Sequence, residues 1–243
     1  MIIVGQEGPT VRKLRSVLQG VHWGTALEPV VCWGYPPSSL HWNHPTLNKR
    51  LIFDKLEQLR RFQNEGVSTP TFTTNPTFTD NRIWLARNRC HERGLDVIGP
   101  MGTTTLRLTL ERGERDYGIE FIDKTHEWRI HVFGPGGTTR VGRKRWYKTG
   151  VPRSVVWNED AGWSFDYLSP GSPREVDMVS ELARRATRSL GMDFGAVDII
   201  ARITPDSSDY FVLEVNSAPG ILGNASTLEA YLNYFRSWGE SLA

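Results

Sequence analysis

The stretch "YFVLEVNSAP" (210–219) constrains this chain more than any other. Val212, Leu213 and Val215 read as a buried strand. Side chains alternate along a strand, so Glu214 and Asn216 point to the same face. Just upstream, "AVDII" (196–200) is a second apolar strand with Asp198 inside it, and the polar run "TPDSSD" joins the two. Paired as a hairpin, they bring three oxygen-bearing side chains to one face. A buried carboxylate is costly without a partner, and two side by side repel, so the arrangement calls for a cation or a proton. Oxygen ligands without His or Cys suit Mg²⁺, which completes its shell with water and phosphate oxygens. That implies a nucleotide phosphate. Another reading pairs Asp198 and Glu214 with arginines at a strand edge, and spacing alone does not separate the two.

At 243 residues the chain is long enough for one large domain or two small ones. A formal net charge of +2 argues against a general nucleic-acid binder, although a local basic patch fits that balance. Cys32 and Cys90 make neither a disulfide framework nor a metal-ligand spacing. No stretch approaches the roughly 20 apolar residues that span a bilayer, and "MIIVGQEGPTVRKL" lacks the apolar core of a signal peptide. The expectation is a cytoplasmic protein without membrane partners. The nine tryptophans read mainly as core packing, with a few lining a site.

The elements form an α+β pattern. "MIIVG" and "PVVCWG" are strands around the helical "TVRKLRSVL". In "NKRLIFDKLEQLRRFQNEG" (48–66), Leu51, Phe53, Leu56, Leu59 and Phe62 share a helical face, and Gly66 is a natural C-cap. "RIWLA", "TTLRLTLERG" and "YGIEFIDKTHEWRIHVFG" read as strands, rich in β-branched and aromatic residues. "GPGG" (134–137) signals a hairpin with "TTRVGRKRWYK" as its return strand. "REVDMVSELARRATRSLG" and "STLEAYLNYFRSWGESL" are amphipathic helices. The polar Glu127, Arg129 and His131 alternate with Trp128, Ile130 and Val132, which by itself describes a strand with a wet side.

The run "LGMDFGAVDII…YFVLEVNSAPGI" resembles the C-terminal motif of the ATP-grasp superfamily. It is especially similar to the ribosomal-protein glutamate ligase branch and to small phage-type members. The resemblance covers about residues 46–222. It implies two α+β subdomains clasping ATP behind a shortened N-terminal α/β unit, divided at 1–46, 47–123 and 124–243. By this likeness Asp198, Glu214 and Asn216 hold Mg²⁺ against the ATP phosphates. Glu120, Phe121 and Ile122 form the adenine hinge, partly through backbone groups, and Glu127 and Arg129 match an acidic-x-Arg pair. Lys49, in the helix that opens the ATP-grasp domain, contacts phosphate. Arg87 replaces an expected Lys in "WLARNRCHERGLDVIG", where Gly94 is the only flexible residue of the loop that also carries Arg89, Cys90, His91 and Arg93. Lys124 is a further nucleotide contact. Lys144 or Arg145 of "RKRW" reaches the phosphoryl group, Arg129 and Arg145 anchor the acyl-phosphate or substrate carboxylate, and Asn158 of "VVWNEDAGW" is carried over as a polar turn residue.

The implied chemistry is ADP-forming ligation of a carboxylate to an amine, or less often a thiol, through an acyl-phosphate, with ATP and Mg²⁺. The substrates are not readable. An amino acid, a peptide tail or a nucleic-acid-linked amine all suit the basic loop, and oligomeric state is not encoded in these signals. A nucleotide- or nucleic-acid-binding protein with reduced catalysis is the alternative.

Overall fold

A computed structural model of the chain describes residues 1–243 apart from 20, 22, 25, 42, 78, 91–95 and 149–154. The start is a strand, helix, strand unit. β1 (Ile2–Gly5) and β2 (Val30–Trp33) are parallel, with α1 (Pro9–Leu18) as the crossover that parallel strands require. Pro9 sits in the first turn of α1, where its missing N–H costs nothing. β3 (Thr46–Leu47) adds to β2 in parallel.

The helix expected from residue 48 starts later. Asp54 caps α2 (Lys55–Asn64) by accepting from the Glu57 N–H at 3.1 Å. Leu56, Leu59 and Phe62 are buried along it as expected, but Leu51 and Phe53 precede the helix, and Phe53 is exposed. A four-stranded antiparallel sheet follows, built from β4 (Phe72–Thr73), β5 (Trp84–Arg87), β6 (Ile98–Met101) and β7 (Tyr117–Glu120) in the order β4-β7-β5-β6.

"TTLRLTLERG" is not a strand. It forms α3 (Thr103–Glu111). Its alternation also places Thr103, Leu106 and Thr109 at a spacing of three, and those are the residues buried. Leu106 fits over Gly118 of β7, where an added Cβ would lie 2.4 Å from Leu106 Cδ2. Packing against the sheet overrides the local β preference of Thr.

The largest sheet holds β8 (His126–Phe133), β9 (Thr138–Trp146), β10 (Trp163–Asp166), β11 (Phe194–Ile203) and β12 (Ser208–Asn216), in the order β10-β9-β8-β11-β12. All its pairings are antiparallel. The "GPGG" turn joins β8 to β9 as expected. α4 (Pro173–Ser189) covers one face. It opens with a Ser172/Glu175 capping box, and Gly191 follows its end at φ 64°. Val179, Ala183 and Ala186 of α4 pack with Trp128, Ile130, Val132, Val197 and Ile199 in one core. α2 contributes Leu56, Leu59 and Phe62 to the same core.

β12 is an edge strand, and edges need covering. Gln58 of α2, 1% exposed, does this with its amide. It accepts from the Val215 N–H at 3.0 Å and donates to the Val215 carbonyl at 3.1 Å. Ser68 and Thr69 continue the cover, with Val212 N–H donating to the Ser68 carbonyl at 2.8 Å. Glu214 and Asn216 flank the clamped Val215, so their direction is fixed from the edge.

The N-terminal sheet shares its core with the end of the chain. Trp33 stacks on Phe194 at 5.7 Å and meets Tyr231 and Phe235 of α5 (Ala225–Glu240) edge-on. Asn48, fully buried at φ 54°, ties the same regions together. Its Nδ2 donates to the Phe194 carbonyl at 3.0 Å, and its Oδ1 accepts from Asp193 N–H at 2.7 Å and Phe194 N–H at 3.2 Å. His131 is also fully buried, its ring nitrogens 3.0 Å from the hydroxyls of Tyr231 and Tyr167. Burial, with the charges of Arg129 and Arg140, pushes its pKa down to about 3.

Asn48→Ala should cost about 3 kcal/mol, since it strips three buried hydrogen bonds and leaves a Cβ residue in left-handed backbone. Asn48→Gly should cost about 1 kcal/mol less, and chemical denaturation of both variants checks the order. His131 gives stability a pH dependence. Below the unfolded value near 6.5 the unfolded chain takes up a proton that the folded chain refuses, so its contribution is complete above that pH and falls as pH drops toward 3. Between about pH 6 and pH 4, His131→Gln should flatten the slope of unfolding free energy by about 1.4 kcal/mol per pH unit. An unchanged slope would show that the ring titrates normally.

Candidate functional site

The face of the large sheet away from α4 carries the polar residues. Register sets Asp198 of β11 opposite Glu214 of β12 on one side and Arg129 of β8 on the other. A bulge after Asp198 breaks the β11–β12 register, but Ala196 still pairs with Asn216, so Asp198, Glu214 and Asn216 share the face. Asn216 Nδ2 donates to Glu214 Oε1 at 2.8 Å and to Asp198 Oδ2 at 3.3 Å. The three expected metal ligands therefore meet.

Both carboxylates are also engaged by cations. Arg129 forks onto Asp198, Nε to Oδ1 and Nη2 to Oδ2, each at 2.8 Å. Burial works to lower the Arg129 pKa, but the Asp198 charge and hydrogen bonds outweigh it and the net shift is upward, so the guanidinium stays charged. Lys55 Nζ lies 3.3 Å from Glu214 Oε2. The strand-edge reading of the carboxylates thus describes a real part of the site, with one arginine and one lysine. Lys55 was not singled out from the sequence. Lys49 was expected in the first helical turn, but it lies in the segment before α2, and the first-turn lysine is Lys55.

A second group lies nearer residues 120–122 on the same face. Glu127, 4% exposed, takes Lys124 on Oε2 at 2.6 Å and Lys144 on Oε1. Burial acts to raise the Glu127 pKa, but the two ammonium groups overcome it and hold the carboxyl below its usual range. Lys144 also donates to the Trp157 carbonyl. Trp157 carries Lys124 over its ring at 4.7 Å and stacks on Trp163 at 3.8 Å. Phe165 of β10 lies under both Arg129 (4.8 Å) and Lys144 (5.2 Å). The face read as wet in β8 is enclosed, since Glu127 and His131 are buried and Arg129 is mostly covered.

Arg145 does not join this group. It pairs with Ser164, one position out of phase with Lys144 and Phe165, and so points to the opposite face. There it approaches Asp166 at 3.6 Å and donates to the Ser169 carbonyl at 2.9 Å. Asn158 builds a turn, its Oδ1 accepting from Ala161 N–H at 2.8 Å.

Arg87 ends β5 and pairs with Asp96, Nη2 to Oδ1 at 3.3 Å. Its strand neighbour Tyr117 is buried, which raises the phenol pKa, and it feels the charges of Arg87, Glu214, Asp96 and Asp54. The segment after β5 docks on the α2 N-terminus, where Lys55 N–H donates to the Arg89 carbonyl at 2.8 Å and Arg89 Nε meets Asp54 at 3.3 Å. His91, Arg93 and Gly94 lie outside the described residues. Cys90 is a free, exposed thiol. Glu120, Phe121 and Ile122 connect the two sheets. The N–H groups of Glu120 and Phe121 already donate to the Thr71 and Ile83 carbonyls at 2.7 and 2.8 Å, so neither is an open donor for a base. Arg82 lies 3.6 Å from the Glu120 carboxylate.

The donor set fits Mg²⁺. Two carboxylates and an amide converge, and rotating the Asn216 amide would turn its oxygen where its nitrogen now touches both acids. Among the described residues no three His, Cys, Asp or Glu side chains form a group able to hold a metal ion, so it is the amide that completes this trio.

No protein-family model matches the sequence, and no curated protein matches it. Solved structures do. The chain is similar to the ATP-grasp ligase PsnB complexed with minimal precursor, Mg and ADP, with a TM-score of 0.64 and 12% identity over 98% of this chain and 96% of that one. It is similar to D-alanine–D-alanine ligase from Bacillus anthracis, with a TM-score of 0.62 and 12% identity over 99% and 97% of the two chains. The VanG D-Ala:D-Ser ligase from Enterococcus faecalis aligns at 0.63 and 15% identity over 90% of this chain and 73% of its own. Aligned over nearly its whole length with the PsnB and Bacillus anthracis structures, the chain has the ATP-grasp fold.

Proposed function

We propose that this protein is an ATP-dependent ligase that activates a carboxylate as its acyl-phosphate and joins it to an amine. The observation that carries this reading is the meeting of Asp198, Glu214 and Asn216 beside Arg129 and Lys55. Similarity to a ligase structure holding Mg and ADP supports the choice of ligand.

In the reaction, a substrate carboxylate oxygen attacks the γ-phosphorus of ATP, the bond to the β-phosphate bridging oxygen breaks, and ADP leaves. The amine nitrogen then attacks the acyl carbon, the C–O bond to phosphate breaks, and the nitrogen gives up a proton. No covalent enzyme nucleophile is required, so the protein positions reactants and offsets charge. Mg²⁺, when bound by Asp198, Glu214 and Asn216, supplies charge neutralisation at the phosphate oxygens. Arg129 and Lys55 sit beside those ligands and stabilise the transferring phosphoryl group. Lys124 and Lys144, fixed by Glu127, present two positive charges nearer the hinge for the rest of the nucleotide. Trp157 forms an apolar wall beside them.

A second reading keeps nucleotide binding without turnover. One observation favours it: Arg87, the cation of the smaller sheet, is bound by Asp96. ADP release over mixtures of carboxylates and amines separates the two readings.

Glu214→Ala should abolish Mg²⁺-dependent ADP release while leaving a cooperative melting transition. Full turnover in that variant would overturn the metal assignment, and global unfolding would return Glu214 to a structural role. Arg129→Gln leaves Asp198 buried without its cation and should cost about 3 kcal/mol in metal-free buffer. Added Mg²⁺ should recover part of that loss in the variant. Thermal melting with and without Mg²⁺ tests this without any substrate.

A further inference from the structure

Most cations on the site face are matched to an acid. Arg129 has Asp198, Lys55 has Glu214, and Lys124 and Lys144 share Glu127. Arg140 of β9 is different. Its Nε donates to Thr227 Oγ1 at 2.7 Å, and its Nη2 donates to Asn224 Oδ1 at 3.3 Å and Ser226 Oγ at 2.5 Å. All three partners are neutral. Its guanidinium carbon lies 5.0 Å from the ring centre of Tyr167. Among the described residues no carboxylate pairs with Arg140, and its Nη1 has no acceptor. Three oxygens and a ring therefore hold a half-buried charge in one orientation without compensating it, a costly arrangement unless an anion arrives.

Position says which anion. Arg140 pairs with His131, which pairs with Ala196, which pairs with Asn216, so these residues form one row across the sheet. The Asp198–Arg129 row lies two residues nearer the hinge, and Glu127 two further. Arg140 thus lies in the row of Asn216, beyond the two carboxylates and on the side away from residues 120–122. From Asp198 it is two strand spacings across and two residues along, roughly 12 Å. Arg129 lies closer, one strand over, but its fork is committed to Asp198 while that of Arg140 turns to the start of α5, so Arg140 suits the remote end of a small molecule whose other end reacts at Arg129. The planar fork of an arginine matches a carboxylate.

We propose that Arg140 binds a free carboxylate of the amine-bearing substrate, which makes that substrate an amino acid or a short peptide with a free carboxyl end. The role as acceptor rests on the ligase reading. The anion site itself does not.

The test uses one pool of dipeptides with free C-terminal carboxylates and the same pool amidated. Thermal stabilisation and ADP release are read for the full chain, Arg140→Gln and Arg140→Lys in the presence of Mg²⁺ and ATP. The free-acid pool should stabilise the native protein, and the amidated pool should need a concentration about 10- to 100-fold higher. Arg140→Gln should lose that preference, and Arg140→Lys, which keeps the charge without the fork, should retain part of it. The lysine variant also shows whether the α5 contacts, rather than the charge, have been lost. Stabilisation by the free acids without ADP release from any mixture would overturn the ligase reading and leave the anion site standing. Equal response to both pools in the native protein, or an undiminished preference in a folded Arg140→Gln, would overturn the proposal.

Discussion

Two carboxylates on adjacent antiparallel strands, Asp198 and Glu214, face each other on the polar side of the large sheet. Much of the surrounding structure answers that single electrostatic fact. Placed together and largely buried they repel, and each carries a desolvation cost. Arg129 forks onto one, Lys55 reaches the other, and Asn216 bridges both. The sheet around them is then fixed from outside, with Gln58 clamping Val215 between Glu214 and Asn216 and α4 packing the reverse face.

The same logic recurs along the face. Glu127 is buried only because two lysines neutralise it, and those lysines are aimed by it. Together, the paired groups form a surface with its charges already arranged before any ligand binds. Such preorganisation is what phosphoryl transfer asks of a protein, since the chemistry consists largely of placing and neutralising charge. Arg140 departs from the pattern, with neutral partners alone.

The hairpin of "AVDII" and "YFVLEVN", the return strand after "GPGG", the capped helix before Gly191 and the last helix were all legible, because each has one periodicity and clear punctuation. "TTLRLTLERG" was not, because its alternation fits a strand and a helix equally well, and only the pocket above Gly118 chooses the helix. The start of α2 was misplaced because Leu51 and Phe53 extend the helical pattern beyond the cap. Asp54, the true signal, lay inside that pattern, and an N-cap search would have found both it and Lys55. Arg145 and Lys144 are neighbours in "RKRW", and without the register of β9 against β10 nothing says which of them faces the site.

By itself the sequence determined that Glu214 and Asn216 share a face, that Asp198 lies in a strand able to join them, and that oxygen ligands would result. These follow from alternation, a local property of the chain. Only the tertiary structure decided which cations meet those acids. Lys55 lies 159 residues before Glu214 and Arg129 lies 69 before Asp198, and such distances are closed by sheet register and helix docking, which no local pattern encodes.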